Sequence, residues 1–215
     1  IGSIVMQTAV NGLGSVYVTA VATAGKVYQL LACPFDAMGA AMATYCGQNA
    51  GAGQLDRLPQ GVRSCSVLGA GYSAIALGGM LLFAPQCAML FLSSSDPQLG
   101  LLLSLTCQYI VLQTAFFFPL ALVNILRFSI QGMGFSVFAI LAGVLEMIAR
   151  TVVGWFFVPG MGYTAACFAS PAAWICADAF LIPACLGCIA RLRRSNPTAS
   201  LETISRRVLK KAARA

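Results

Sequence analysis

The stretch Val62-Arg63-Ser64-Cys65-Ser66-Val67-Leu68-Gly69-Ala70-Gly71-Tyr72-Ser73-Ala74-Ile75-Ala76-Leu77-Gly78-Gly79-Met80-Leu81-Leu82-Phe83-Ala84 decides the fold. After Arg63 it carries no charge, and the next charged residue is Asp96. A helix needs about 20 apolar residues to cross the hydrocarbon core of a bilayer. The segment lacks the period-2 alternation of a barrel strand. Lipid offers the backbone no hydrogen bonds, so spanning structures are helices or closed barrels, and here the helix is favoured. The rest of the chain has the same character: 59% of its 215 residues are hydrophobic and 9% charged. An average soluble chain carries roughly 25% charged residues. This one has too little charge to cover itself in water.

Further apolar runs lie on both sides. They read as spans at about residues 1–11, 15–47, 98–131, 134–157 and 163–190. With 62–84 they predict an all-α polytopic transmembrane bundle of six spans. Pro34 and Pro119 fall inside spans and are kink candidates. The turn Pro159-Gly160-Met161-Gly162 is expected to separate the last two spans. The first residues, Ile1-Gly2-Ser3-Ile4, already lie in an apolar run, so the first span is expected to be truncated. Residues 1–194 then form one six-helix lobe, and 195–215 a tail.

The basic residues favour one side. The connection between the second and third spans holds Arg57 and Arg63, Arg127 lies near the end of the fourth span, and the tail region holds Arg191, Arg193, Arg194, Arg206, Arg207, Lys210, Lys211 and Arg214. The connections near residues 12, 92 and 160 have no Lys or Arg. Six alternating spans put every basic connection on the same side, which the positive-inside rule makes cytoplasmic. The expected location is the plasma membrane, with a cytoplasmic C-terminus. In the tail, Leu201, Ile204 and Val208 share a face against basic neighbours, as in a helix lying on anionic lipid headgroups. That accounts for much of the net charge of +7 without nucleic acid.

Soluble-enzyme chemistry is not indicated. The chain has no His, no Walker sequence and no Gly-x-Ser-x-Gly. Gly51-Ala52-Gly53 follows a membrane helix, not a strand, so it is no phosphate cradle. Cys185-x-x-Cys188 has no second Cys pair to complete a metal site. No cofactor and no metal are expected, and the protein is not read as an enzyme.

The informative residues are ionisable groups within spans, each of which costs about 2.5–3.5 kcal/mol at a helix centre unless it faces a partner or water. Glu146 and Arg150 are spaced i, i+4 and share a face. They read either as a charge-neutralising pair or as a gate. Asp178 has no basic residue one turn away, which makes it a candidate for proton or Na+ handling. Lys26 and Asp36 do not share a face, so each needs a partner on another helix. Gln108, Tyr109 and Gln113, with Phe116, Phe117 and Phe118, put amides beside rings and suit a pocket for flat cationic compounds.

Four motifs in order carry a family resemblance. Gly47-Gln48-Asn49-Ala50-Gly51-Ala52-Gly53-Gln54-Leu55-Asp56-Arg57 resembles the segment that closes the second helix of each lobe in MATE transporters. Pro34-Phe35-Asp36-Ala37-Met38-Gly39-Ala40 resembles the pattern before it. Leu145-Glu146-Met147-Ile148-Ala149-Arg150 is similar to the family's eleventh helix. Gly162-Tyr163-Thr164-Ala165-Ala166 with Ser170-Pro171-Ala172-Ala173-Trp174 is similar to its twelfth. The resemblance implies the C-terminal lobe of a twelve-helix fold, of the DinF-like bacterial branch, partnered by an N-terminal lobe of the same protein. It implies a secondary active multidrug efflux antiporter that exchanges cationic or aromatic compounds for Na+ or H+ by alternating access. A lipid-linked oligosaccharide flippase of the same superfamily and a structural membrane subunit are the alternatives. One branch of the family holds its ion with acids in the seventh and tenth helices. Here the first span offers Gln7 and Asn11 as cavity candidates, and the fourth has no acid.

Overall fold

A computed structural model describes residues 2–93 and 97–195 of the chain. Every regular element among them is helical: α1 (Gly2–Asn11), α2 (Ser15–Gly51), α3 (Arg57–Met89), α4 (Leu99–Ala115), α5 (Phe117–Gly132), α6 (Ser136–Val152), α7 (Val158–Met161) and α8 (Tyr163–Ser195). A wide π turn at Val153–Phe157 joins α6 to α7. Four helical segments are long and apolar enough to cross a membrane, and α4 with α5, bent by 51°, makes a fifth. These segments fit the all-α transmembrane bundle expected from the sequence, with the short α1 packed beside them. At about 1.5 Å per residue, the 37 residues of α2 exceed the roughly 30 Å hydrocarbon core, so that helix tilts or projects.

Helix α2 is central and packs against α3, α4 and α5. Helix α8 packs against α5 and α6, and α1 docks on α6. The core centres on Phe35, Leu58, Phe117, Ile125, Ile130 and Leu181, all nearly or fully buried. The outer faces are apolar too. Leu68, Ile75 and Leu82 of α3, Val137 and Ile140 of α6, and Trp155 and Phe156 of the π turn are exposed. Lipid is the solvent such surfaces require.

Several boundaries differ from those read in the sequence. Helix α3 begins at Arg57 and ends at Met89. Arg57 and Arg63 therefore lie in its first two turns, not in a connection. The residues after Pro159 remain helical to Met161, and the turn falls at Gly162. Pro159 cannot bond the carbonyl four residues back, and the widened turn lies there. The segment 196–215, read as an interfacial helix, lies outside the described residues.

The prolines act in two ways. Pro119 removes the bond that would tie it to Ala115, and its ring crowds that carbonyl. The helix breaks there, and Phe116 separates α4 from α5. Pro34, by contrast, leaves α2 continuous. The carbonyls beside it are satisfied from elsewhere: Cys33 Sγ donates to Leu30 O at 3.3 Å, and Tyr72 Oη of α3 donates to Leu31 O at 2.9 Å. A membrane helix tolerates proline when freed carbonyls find such partners.

The segment Gly47–Arg57 has a structural explanation. Helix α2 ends with Gln54 N–H donating to Asn49 O at 2.8 Å and Gly53 N–H to Ala50 O at 3.1 Å. This is a Schellman cap, which needs a left-handed residue, and Gly53 has φ 70°. Ala52 N–H donates to Gln48 O, and buried Asn49 donates its amide to Tyr45 O at 2.8 Å. A Cβ on Gly47 would lie 3.2 Å from Gly132 O, so α2 and α5 approach closely there. Asp56 pairs with Arg193 at 3.0 Å, which ties the start of α3 to the end of α8. Arg57 is exposed, and Gly51 faces open space.

Candidate functional site

Glu146 is 8% exposed on α6 and holds two arginines. Its Oε1 pairs with Arg127 of α5, and its Oε2 accepts from Arg150 Nη2 at 3.3 Å. The i, i+4 pair expected from the sequence is present. Arg127 joins it from a second helix. Helices α5 and α6 are adjacent, separated only by residues 133–135, and this brings the partners together.

Asp178 of α8 is 7% exposed and interacts electrostatically with Glu146 and Arg127. Its Oδ1 has no hydrogen-bond partner among the described residues. The Nε atoms of Arg127 and Arg150 are likewise buried and unpartnered. Four ionisable groups from α5, α6 and α8 thus form one cluster, its carboxylates buried and its arginines half-buried, with hydrogen-bonding capacity to spare. A polar network in a low-dielectric interior gains from every bond made and is penalised by every one missing. A proton, an ion or water would fill such gaps.

Two hollows lie beside the cluster. One of about 230 Å³ is lined by Gly25, Tyr28, Tyr109, Gln113, Arg150, Ser170 and Trp174. The other, about 190 Å³, reaches toward α1 through Gln7 and Val10 and shares Tyr109, Arg150 and Ser170 as walls. The aromatic wall is ordered: Tyr28 stacks on Trp174 at 6.2 Å between centroids, and the Phe117 ring meets Tyr28 edge-on at 5.9 Å. Gln113 is 1% exposed. Its Nε2 donates to Cys167 O at 3.0 Å, the carbonyl that Pro171 leaves without a helix partner. That bond fixes the amide, and Oε1 is left with Tyr109 nearby but no hydrogen bond of acceptable geometry.

The candidates named from the sequence divide accordingly. Glu146, Arg150 and Asp178 meet in the cluster. Tyr109, Gln113 and Gln7 line the hollows, and Gln7 also donates to Asn11 at 3.3 Å. Gln108 is exposed and lines neither hollow. Asp36 is exposed on α2. Lys26 is exposed as well, with its Nζ 5.7 Å from the centre of the Phe91 ring, so its partner is an aromatic face at the end of α3. The sequence reading named Ser170 and Trp174 only as parts of a family motif, gave Arg127 no partner, and did not single out Tyr28. Pro171 was a usable signal, because a proline inside a span announces a carbonyl that some side chain must meet.

The MatE family model matches residues 1–162, three quarters of the chain. The chain belongs to the MatE family. Its fold is that of one lobe of solved MATE and MOP superfamily transporters. A MATE in the straight conformation superposes with a TM-score of 0.73 at 17% identity, covering 84% of this chain and 39% of that one. A MOP superfamily transporter from Pyrococcus furiosus Vc1 gives 0.70 at 18% identity, with coverage of 84% and 39%. An inward-facing multidrug resistance MATE family transporter gives 0.69 at 17%, with coverage of 84% and 40%. The MatE chain thus spans about two fifths of the length of these structures. No curated protein matches it at a significant level. In this MatE lobe the Glu146 cluster joins α5, α6 and α8, and the hollows open between α2, α4, α6 and α8, with α1 walling one of them.

Proposed function

We propose that this lobe serves a secondary active multidrug efflux antiporter, in which Asp178 takes up the exchanged H+ or Na+. The observation that carries the proposal is a buried carboxylate with an oxygen that makes no hydrogen bond, within electrostatic reach of Arg127 and Glu146. With Asp178 ionised, two arginines balance two carboxylates. Neutralising Asp178 leaves one positive charge in excess. That change falls where three helices meet, so it can bias their packing, and alternating access needs only a differential affinity of the two states for the ion. The aromatic wall of Tyr28, Tyr109 and Trp174 favours flat compounds. The family resemblance supports cationic compounds as a further exported class and this chain as the C-terminal lobe of a DinF-like transporter, and the one-sided basic connections support a cytoplasmic C-terminus in the plasma membrane. Membership of a transporter family also argues against an enzyme. The flippase alternative requires several cations facing the cavity, and among the described residues only Arg150 does so.

The test is ion-driven dye efflux by the intact transporter in proteoliposomes, with Asp178→Asn compared with the unaltered protein. Loss of gradient-driven efflux, with dye binding retained, is expected. Unchanged efflux with an unchanged pH profile would remove Asp178 from ion coupling.

A further inference from the structure

We infer that the hollow beside Arg150 is a subsite for an organic acid, a small carboxylate on an aromatic or hydrogen-bond-donating body. The inference rests on the reading that this lobe handles substrate, and it narrows the class. Arg150 is the one charged side chain lining either hollow among the described residues, and no acid does so. Glu146 gives one oxygen to Arg150 and the other to Arg127, and among the described residues Asp178 forms no ion pair with Arg150, so Arg150 only shares a carboxylate. Arg150 also keeps a buried Nε with no partner. A guanidinium with donors left over is built to take a carboxylate in two parallel bonds. Ser170 and Tyr109 add hydroxyls on the same walls.

The second observation is independent of charge. Gln113 is almost wholly buried in the larger hollow, its amide is fixed by Cys167 O, and its Oε1 makes no hydrogen bond of acceptable geometry although Tyr109 lies nearby. An orphaned acceptor of this kind costs about 1–3 kcal/mol, and an N–H or O–H on the ligand would recover it. Tyr28 and Trp174 supply the apolar side. Each hollow, at about 190 and 230 Å³, is smaller than the roughly 300 Å³ at which drug-sized pockets begin. It therefore suits a single-ring acid or the acidic end of a larger molecule. A cation would face Arg150 directly, so of the cationic and aromatic classes only the aromatic one fits here.

Benzoate, benzamide and benzamidine share one ring and differ in charge, which makes them direct probes. Equilibrium binding of radiolabelled benzoate to the purified intact transporter in nanodiscs, with the other two as competitors, reads the site without an ion gradient. The expected order is benzoate, then benzamide, then benzamidine. Arg150→Gln should weaken benzoate at least tenfold. Ser170→Ala is a mild change and should weaken it about threefold, about 0.7 kcal/mol at 1.4 kcal/mol per tenfold. Benzamidine competing as well as benzoate, benzoate affinity indifferent to both substitutions, or no benzoate binding up to its solubility limit would each overturn the inference. Benzoate binding that persists while Asp178→Asn leaves efflux unchanged would keep the subsite and discard the coupling role.

Discussion

Arg127 and Glu146 lie nineteen residues apart in the chain and meet across the interface of α5 and α6. Helix α5 alone would carry an uncompensated positive charge into a bilayer, whereas α6 already sets Glu146 against Arg150. Together with Arg150 they bring two positive charges onto one buried carboxylate. Glu146→Gln would leave two arginines without their ion-pair partner, with only Asp178 of the cluster as a remaining counter-charge. Removing one partner of a buried pair costs about 3–5 kcal/mol. A marked fall in the thermal unfolding midpoint in detergent is expected for Glu146→Gln, with a smaller fall for Arg127→Gln, because Arg150 still serves Glu146. The double variant Arg127→Met with Glu146→Leu should recover much of the loss. A double variant that loses the full sum of both single changes would show that the pair is not coupled.

Exchanging the charges of Glu146 and Arg150 separates an isolated pair from a shared network. On one helix the swap preserves the i, i+4 attraction. In this fold it also sets an arginine against Arg127 and turns a carboxylate toward the hollow that Arg150 lines. The swapped protein is therefore expected to be less stable and inactive in efflux. Adding Arg127→Glu should restore stability, read as the unfolding midpoint, without restoring activity. A simple swap that folds and transports normally would mean that Arg127 plays no part.

The close approach of α2 and α5 gives a third expectation. A Cβ on Gly132 would run into the Ala43 carbonyl oxygen, and backbone cannot move aside as a side-chain tip can. Gly132→Ala is expected to cost about 1–3 kcal/mol, as overpacking does. Gly143 on α6 faces open space, and Gly143→Ala should not destabilise the protein. Unfolding midpoints of the two variants in the same detergent decide the matter.

The bundle was legible in the sequence because composition and span length depend on no tertiary contact. Val62–Ala84 reads as membrane helix whatever surrounds it. Glu146 with Arg150 was legible for the same reason, since an i, i+4 pair is local. Arg127 was not, because its contact depends on how α5 turns toward α6. Lys26 and Asp36 sit on a helix that is apolar nearly all round, where pattern does not separate the lipid face from the inner one. Both proved exposed. Pro34 and Pro119 look alike in sequence. They differ because Cys33 and Tyr72 stand ready at one, while the bond lost at the other coincides with a break at Phe116.

Pro171 offers the same logic as an experiment. It has no N–H, so the Cys167 carbonyl loses its helical donor, and Gln113 Nε2 meets it at 3.0 Å from α4. Gln113→Leu would leave that carbonyl bare in a buried position, at about 1–3 kcal/mol. Pro171→Ala returns an N–H four residues along and relieves the ring contact, so alone it should cost little. In the Pro171→Ala background the carbonyl is satisfied along its own helix. Gln113→Leu should then cost at least about 1 kcal/mol less than it does in the unaltered protein, a coupling within the range of contacting residues. Unfolding midpoints of the four proteins complete the cycle. Equal costs in both backgrounds would mean that the amide is held for some purpose other than the carbonyl freed by Pro171.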